Sequence, residues 1–395
     1  MVRDSRSVMC ESPHRRQALG LGLHDGAAPI FHSAFQIPHS ALLRLKDRRP
    51  DPMLVRHEPN RERSGVIVKQ INGLEQIPDE LRGCVLTIGN FDGVHLGHQQ
   101  ILAQAGLFGT RPRSGPDSPR CGFEPAPPAH QKVVVLTFDP HPLEIVSPGR
   151  APQRLMPLSE KVCRLTQAGA DAVVVARSEP ALLSLEPHDF VESVIEKKFK
   201  PSHIVEGWSF GFGKGRKGNA DVLRELGARR GFEVFIVEPV KLQVADDETV
   251  LVTSSMIRGL IRAGQVDRAR LCLGRPYALF GEVAAGHGRG SELGYPTANL
   301  GKIDQLIPAE GVYAGRAEAG GRSYDAAVSI GTTPTFGDGS LQVEAFLLDC
   351  DVELYGQPMK LEFLRFLRGQ QRFESPEALA EQIERDVRQV RTVED

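Results

Sequence analysis

The 395-residue sequence has no apolar run approaching the roughly 18 to 20 residues that span a bilayer, so no transmembrane helix is expected. It has no C-x-x-C pair. Its six cysteines (Cys10, Cys84, Cys121, Cys163, Cys272 and Cys350) lie far apart. That spacing argues against a zinc site or a disulfide framework and for a reducing cytoplasm. A charge excess is also missing: 48 basic against 50 acidic residues leave a formal net charge of -2. A chain so balanced has no global attraction to nucleic acid or to a membrane surface. There is no internal repeat and no Walker pattern G-x-x-x-x-G-K-[ST].

Positions 1–64 lack both an apolar core with a cleavage site and a periodic apolar face. An organellar transit peptide should be poor in acids, yet Asp4, Glu11 and Asp25 are present. The segment reads as a disordered tail or a wrongly assigned start, with Met53 as the attractive true start.

A chain of this length implies two domains, and the texture changes at 273–277. Before that point, short β-rich runs at 84–88, 133–138, 172–176, 203–205 and 232–237 alternate with helical patterns at 99–105, 159–167, 189–198 and 221–230. Such alternation predicts a Rossmann-like α/β domain with a parallel sheet and right-handed crossovers. Positions 106–129, rich in Pro, Gly and Ser, read as an insertion, and 254–272 as a further helical stretch. After the break, strand-like runs at 279–283, 311–318, 323–330, 342–348 and 359–366 follow one another without helices, which predicts an antiparallel β-barrel. A helix starting at Ser375, with Leu379, Ile383, Val387 and Val390 on one face, should lie on that barrel. The expected domains are 65–273 and 274–395.

G-N-F-D-G-V-H-L-G-H occupies 89–98, directly after a strand and leading into a helix. A helix N-terminus presents unpaired N–H groups and the positive end of a dipole, which suits phosphate. Gly89, Gly93 and Gly97 let the backbone approach a ligand. His95 and His98, three apart, can face the same phosphates and stabilise charge on an α-phosphate and its pyrophosphate leaving group. A zinc helix usually spaces its histidines four apart with a Glu, which is absent. The ordinary alternative is a glycine-rich turn with two surface histidines. T-F-D-P-H-P at 137–142 ends the second strand, at the edge where open α/β sheets bind ligands. G-W-S-F-G-F-G-K-G-R-K-G-N at 207–219 is a basic, glycine-rich loop at another strand end.

The second half carries G-E-V-A-A-G-H-G-R-G-S-E-L-G-Y-P-T-A-N-L at 281–300. Its glycines let backbone amides surround polyphosphate. Thr297 and Asn299 offer neutral oxygens suited to a hard Mg²⁺ ion that also takes ATP phosphate oxygens. A lone carboxylate in an otherwise apolar strand can serve as a general base. Glu344, the lone Glu in V-E-A-F-L-L-D, is the candidate; an outward-facing strand residue is the plainer reading.

H-x-G-H after a strand resembles the nucleotidyltransferase superfamily, and the longer 89–98 segment resembles its FAD synthetase branch. The 281–300 segment resembles the riboflavin kinase signature. Over roughly 66–390 the chain is similar to the bifunctional prokaryotic riboflavin kinase/FMN adenylyltransferase family. That resemblance implies ATP-dependent phosphorylation of riboflavin to FMN, then adenylyl transfer to give FAD and pyrophosphate. It implies Mg²⁺ as cofactor, the flavins and ATP as ligands, and no nucleic-acid or membrane partner. His95, His98 and Glu344 would be catalytic. ATP in the first domain would meet Gly89, Asn90, Phe91, Gly97, Gly207, Ser209, Gly213, Ser254, Ser255 and Arg258, the last adding a fixed positive charge. FMN there would meet Phe138, Asp139, Pro140 and His141. Kinase ATP would meet Gly281, Gly286, Arg289, Gly290, Pro296, Thr297 and Asn299, with Arg368 and Phe373 in a lid over the flavin. Ser209 and Gly211 depart from the family, which usually has Asp or Asn and a larger residue there. A cytidylyltransferase would have no need of the second motif. A regulator that has lost catalysis would not need His95, His98, Thr297 and Glu344 intact.

Overall fold

A computed structural model describes residues 69–109, 131–245, 248–284, 297–332 and 341–393. The expected tail at 1–64, positions 110–129 of the expected insertion, and Gly286, Arg289, Gly290 and Pro296 lie outside the described residues. Positions 106–109 belong to a helix rather than to the insertion.

The first module is a six-stranded sheet built from β1 (Lys69–Asn72), β2 (Val85–Ile88), β3 (Val133–Asp139), β4 (Ala172–Arg177), β5 (His203–Gly207) and β6 (Glu233–Val237). Their order is β1-β4-β3-β2-β5-β6, and each pairing is parallel. A parallel sheet is covered on both faces, so its strands read as continuous apolar runs, as V-V-V-L-T-F-D does in β3. Alternate side chains divide the layers. Val85, Val133, Val135, Val173 and Val205 meet α1 (Leu96–Gly109) and α2 (Leu158–Gln167). Leu86, Val134, Leu136, Val174 and Ile204 meet the segment Pro187–Phe199 and α3 (Ala220–Arg230). Asn219 accepts N–H bonds from Asp221 and Val222, capping α3, and Gly231 ends it in the left-handed region.

The stretch 189–198 differs from its expected α-helix: Val191–Phe199 is wound as a π-helix. The expected single helical stretch 254–272 is two helices, α4 (Ser254–Arg262) and α5 (Val266–Leu273), broken at Gly264 with φ +73°. A hairpin of β7 (Lys241–Ala245) and β8 (Glu248–Leu251) precedes them.

The second module is a closed antiparallel barrel of β9 (Tyr277–Ala284), β10 (Thr297–Gly301), β11 (Gly311–Ala319), β12 (Arg322–Thr332), β13 (Leu341–Leu347) and β14 (Pro358–Arg368), in the order β10-β13-β12-β11-β14-β9. Its inward positions, such as Leu279, Ala326, Val328, Val343, Ala345 and Leu361, are buried. The C-terminal helix α6 (Pro376–Val390) is capped by the Ser375 hydroxyl, which accepts the Ala378 N–H at 3.2 Å. Its Val387 and Val390 pack with Ala314 and Leu348 of the barrel.

The joint between the modules is apolar. Val250 and Val252, Ile257 and Ile261 of α4, and Val266, Cys272 and Leu273 of α5 share one core with Tyr277, Leu279 and Phe363 of the barrel.

Candidate active sites

The centre of the parallel sheet is where the chain changes direction. β3 lies on one side of β2 and β5 on the other. Pairing of β2 with β5 stops at Leu86–Ile204, so their carboxyl ends part. Open α/β sheets bind ligands in such a crevice. Here it opens into a cavity of about 750 Å³ lined by the 89–98 motif, the 207–216 loop and the start of α4.

His95 and His98 enter this cavity from the first turn of α1. Their rings stack with centroids 3.7 Å apart and planes 19° apart, and Phe91 meets the His98 ring edge-on at 5.0 Å. Gly97 leaves room for the stack: a Cβ at that position would lie 3.1 Å from the His95 ring, a tight contact. Each Nδ1 is sealed from solvent and has no hydrogen-bond partner among the described residues, which leaves Nε2 as the ring nitrogen available to the cavity. Burial, reinforced by the positive charges of Arg275 and Arg258, pushes the His95 imidazole down to about 4. His98 is pushed well below its ordinary range by burial, then by His95 and Lys161. Both rings are therefore neutral at pH 7.

The remaining expected residues divide. Asn90 reaches His141, with 3.0 Å between Nδ2 and Nε2, so two motifs distant in sequence meet. Phe138 and His141 line the cavity, as do Gly89, Gly207, Ser209, Gly213, Ser254 and Ser255. Asp139 instead faces Arg154 at 3.8 Å, and the Pro140 carbonyl accepts the Ser178 hydroxyl at 2.6 Å. Arg258 is not a free cation. It is buried, ion-paired with Asp92, and its Nε donates to the Gln153 carbonyl at 2.7 Å. Asp92 also accepts the Leu155 N–H at 3.0 Å, so Arg258 lines the cavity as a paired rather than a free charge. At the two departures, the Ser209 carbonyl accepts from Arg216 at 2.9 Å, and the Arg216 guanidinium stands where a Cβ on Gly211 would meet it at 3.1 Å.

Sequence reasoning missed Glu206. It is the penultimate residue of β5, is 2% exposed, and accepts the Ile88 N–H at 2.6 Å. Burial raises its carboxyl well above the ordinary range. The signal was legible: a single acid inside the apolar strand H-I-V-E-G.

On the barrel, Val343, Ala345 and Leu347 point inward and Glu344 lies half-buried on the outer face. Asn299 of β10 and Ser329 of β12 stand directly opposite it in register, and Thr297 stands opposite Phe346 on the same face. Gln370 donates to the Ser329 hydroxyl at 3.0 Å and to the Ile330 carbonyl at 2.7 Å. Arg368 pairs with Asp386 at 2.7 Å, which ties β14 to α6, and lies 5.8 Å from the centroid of the Phe373 ring. Gly281 has a packing reason: a Cβ there would lie 2.3 Å from the Gly301 carbonyl oxygen. Among the described residues no group of three or more His, Cys, Asp or Glu side chains could hold a metal. The oxygens of Thr297 and Asn299, with the Glu344 carboxyl beside Asn299, fit a hard cation better than a soft one.

The geometry thus defines a nucleotidyltransferase-like α/β module followed by a six-stranded barrel with its own polar outer face. A riboflavin kinase family model matches residues 273–394, and an FAD synthetase model matches 77–115 and 122–250. Curated relatives described as bifunctional riboflavin kinase/FMN adenylyltransferase include one from Escherichia coli K12, 33% identical over 81% of this chain and 95% of its own length. Others come from Pseudomonas fluorescens, 34% identical over 82% and 97%, and Bacillus subtilis, 32% identical over 78% and 92%. A solved structure from Streptococcus pneumoniae, described as a macrolide-efflux protein, is 26% identical with a TM-score of 0.69, covering 83% of this chain and 99% of its own. The chain belongs to the bifunctional riboflavin kinase/FMN adenylyltransferase family. No helix among the described residues is long and apolar enough to cross a membrane.

Proposed function

We propose that the chain makes FAD in two ATP-dependent steps: riboflavin is phosphorylated to FMN at the barrel, and FMN is adenylylated in the crevice of the parallel sheet. The stacked, neutral His95–His98 pair at the start of α1 carries this reading for the second step.

In the crevice, an FMN phosphate oxygen attacks the α-phosphorus of ATP while the bond to the pyrophosphate oxygen breaks. Negative charge builds on the α-phosphate and the departing pyrophosphate. Two Nε2–H groups and the first N–H groups of α1 answer that charge without having to reorganise. Phe138 and His141, which line the same cavity, would meet the flavin. Arg258 acts indirectly: through Asp92 it fixes the motif loop to α4.

At the barrel, Glu344 accepts the proton of the ribityl hydroxyl as that oxygen attacks the γ-phosphorus of ATP and the bond from the γ-phosphorus to the β-phosphate oxygen breaks, releasing ADP. Thr297 and Asn299 would hold Mg²⁺, which supplies charge neutralisation to phosphate oxygens when bound. Glu344 is oriented by its place between Asn299 and Ser329.

Incubating the full chain with riboflavin and Mg²⁺-ATP and separating the flavins tests the proposal. FMN should appear first and FAD after it. Flavin bound but unchanged would leave a binding protein and sink both assignments.

A further inference from the structure

The two steps leave one buried acid in the crevice without a role. Glu206 sits in the notch where β2 and β5 part, and its Oε1 takes the Ile88 N–H that β5 no longer pairs. Its second oxygen has no hydrogen-bond partner among the described residues, although the side chain lines the cavity and is 2% exposed. Strand parity locates it further. Val205 packs in the α1 layer with Val85 and Leu102, whereas Ile204 packs in the opposite layer with Phe190 and Phe212. Glu206 shares the parity of Ile204. It therefore stands across the sheet end from the histidine pair, on the side where Phe138, Phe190 and Phe212 line the wall. Burial among such groups disfavours the anion and favours the protonated carboxyl. A neutral carboxyl donates from one oxygen and accepts at the other, and Oε1 keeps a lone pair beyond the one given to Ile88. An aromatic wall with one such group fits a flat heteroaromatic ring that carries an N–H beside a carbonyl.

We propose that Glu206 reads the edge of the flavin ring in the adenylyl-transfer cavity, donating its O–H to a ring carbonyl and accepting the neighbouring ring N–H. The assignment rests on the adenylyl-transfer reading above. Adenine presents a similar donor–acceptor edge, so the kinetics must separate the two rings.

Adenylylation by the full chain, with FMN and ATP each varied, makes that separation. Glu206→Leu keeps the volume and removes the polar group. Its KM for FMN should rise about tenfold, while its KM for ATP and its riboflavin phosphorylation stay at wild-type values. Glu206→Gln still accepts the Ile88 N–H and still donates, so its KM for FMN should stay near wild type. FMN methylated at the ring N–H tests the contact with no variant at all: wild-type KM should rise by a similar factor. An unchanged KM for methylated FMN overturns the proposal. So does a rise in the KM for ATP instead of FMN, a loss confined to kcat, or a Gln variant no better than Leu. Failure of the wild-type chain to join FMN and ATP would sink the adenylyl-transfer reading itself, which the variants do not test.

Discussion

In the proposed adenylyl transfer the two histidines act uncharged, and that has a pH signature. Folded, His95 protonates only near 4; unfolded, it returns to about 6.5. Below that ordinary value the unfolded chain binds a proton that the folded one refuses. The contribution of a neutral His95 is therefore complete above about 6.5 and is lost as pH falls toward 4, a difference of about 3 kcal/mol. His98 is shifted the same way and adds to it. Thermal unfolding followed from pH 7 to 4.5 should show His95→Gln losing less stability than wild type; parallel curves would mean the imidazole is not desolvated in solution. In rate terms, His95→Ala or His98→Ala should cut FAD formation from supplied FMN about 10²- to 10³-fold and leave riboflavin phosphorylation intact. Equal loss of both activities would point to misfolding. The reverse pattern belongs to Glu344→Gln: the amide keeps the size but takes no proton at neutral pH. FMN formation should fall about 10²-fold or more while FAD formation from supplied FMN continues. A wild-type rate would leave Glu344 as the outward strand residue its half-buried position also allows.

Single elements are held to the site by buried polar links. Asp92, in the loop before α1, pairs with Arg258 of α4, takes the Leu155 N–H, and its carbonyl accepts the Ser254 hydroxyl at 2.8 Å. Asp92→Asn should cost about 3 to 5 kcal/mol, because it strands the Arg258 charge in a buried position. Chemical denaturation reads this directly, and a loss below about 1 kcal/mol would show the pair to be solvated. This link also marks where sequence reading stopped. Long apolar runs such as Val133–Asp139 and the caps Asn219 and Ser375 were legible because each is a local signal. The pairing of Asp92 with Arg258 joins residues 166 apart, and no local pattern carries it. The π-winding of Val191–Phe199 was hidden for a different reason: over two turns, buried Val191, Ile195 and Phe199 are spaced as on an α-helix face. β10 escaped because T-A-N-L-G is short and has a single large apolar residue and only one β-branched residue; its polar residues face outward toward Glu344.

At the scale of the molecule, the sequence break at 273–277 locates a change of texture but not the joint, which is an interface. Arg275, just after α5, donates to the Gly93 carbonyl at 2.7 Å and to the Val94 carbonyl at 3.3 Å, and Gln99 donates to Val94 and Leu273. The carbonyls it grips immediately precede His95. A second strap runs the other way: Gln305 of the barrel donates to the Leu155 carbonyl at 3.2 Å, and Arg154 faces Asp304 at 3.4 Å. Beneath both straps the barrel strands share an apolar core with α4 and α5. We propose that division at 274 is tolerated unequally. The barrel closes on itself, and its candidate face with Asn299, Ser329 and Glu344 draws on its own strands. A 276–395 fragment should therefore still make FMN. It should melt below the barrel in the full chain, because its face toward α4 and α5 is exposed. A fragment ending at 273 keeps the histidines but loses Arg275, so the loop that aims His95 is released. Its FAD formation from supplied FMN should fall by about tenfold or more, and Arg275→Ala in the full chain should reproduce much of that loss without touching FMN formation. If the 1–273 fragment adenylylates FMN at the full-chain rate, the linker is a passive tether and the grip of Arg275 on Gly93 plays no part in placing the histidine pair.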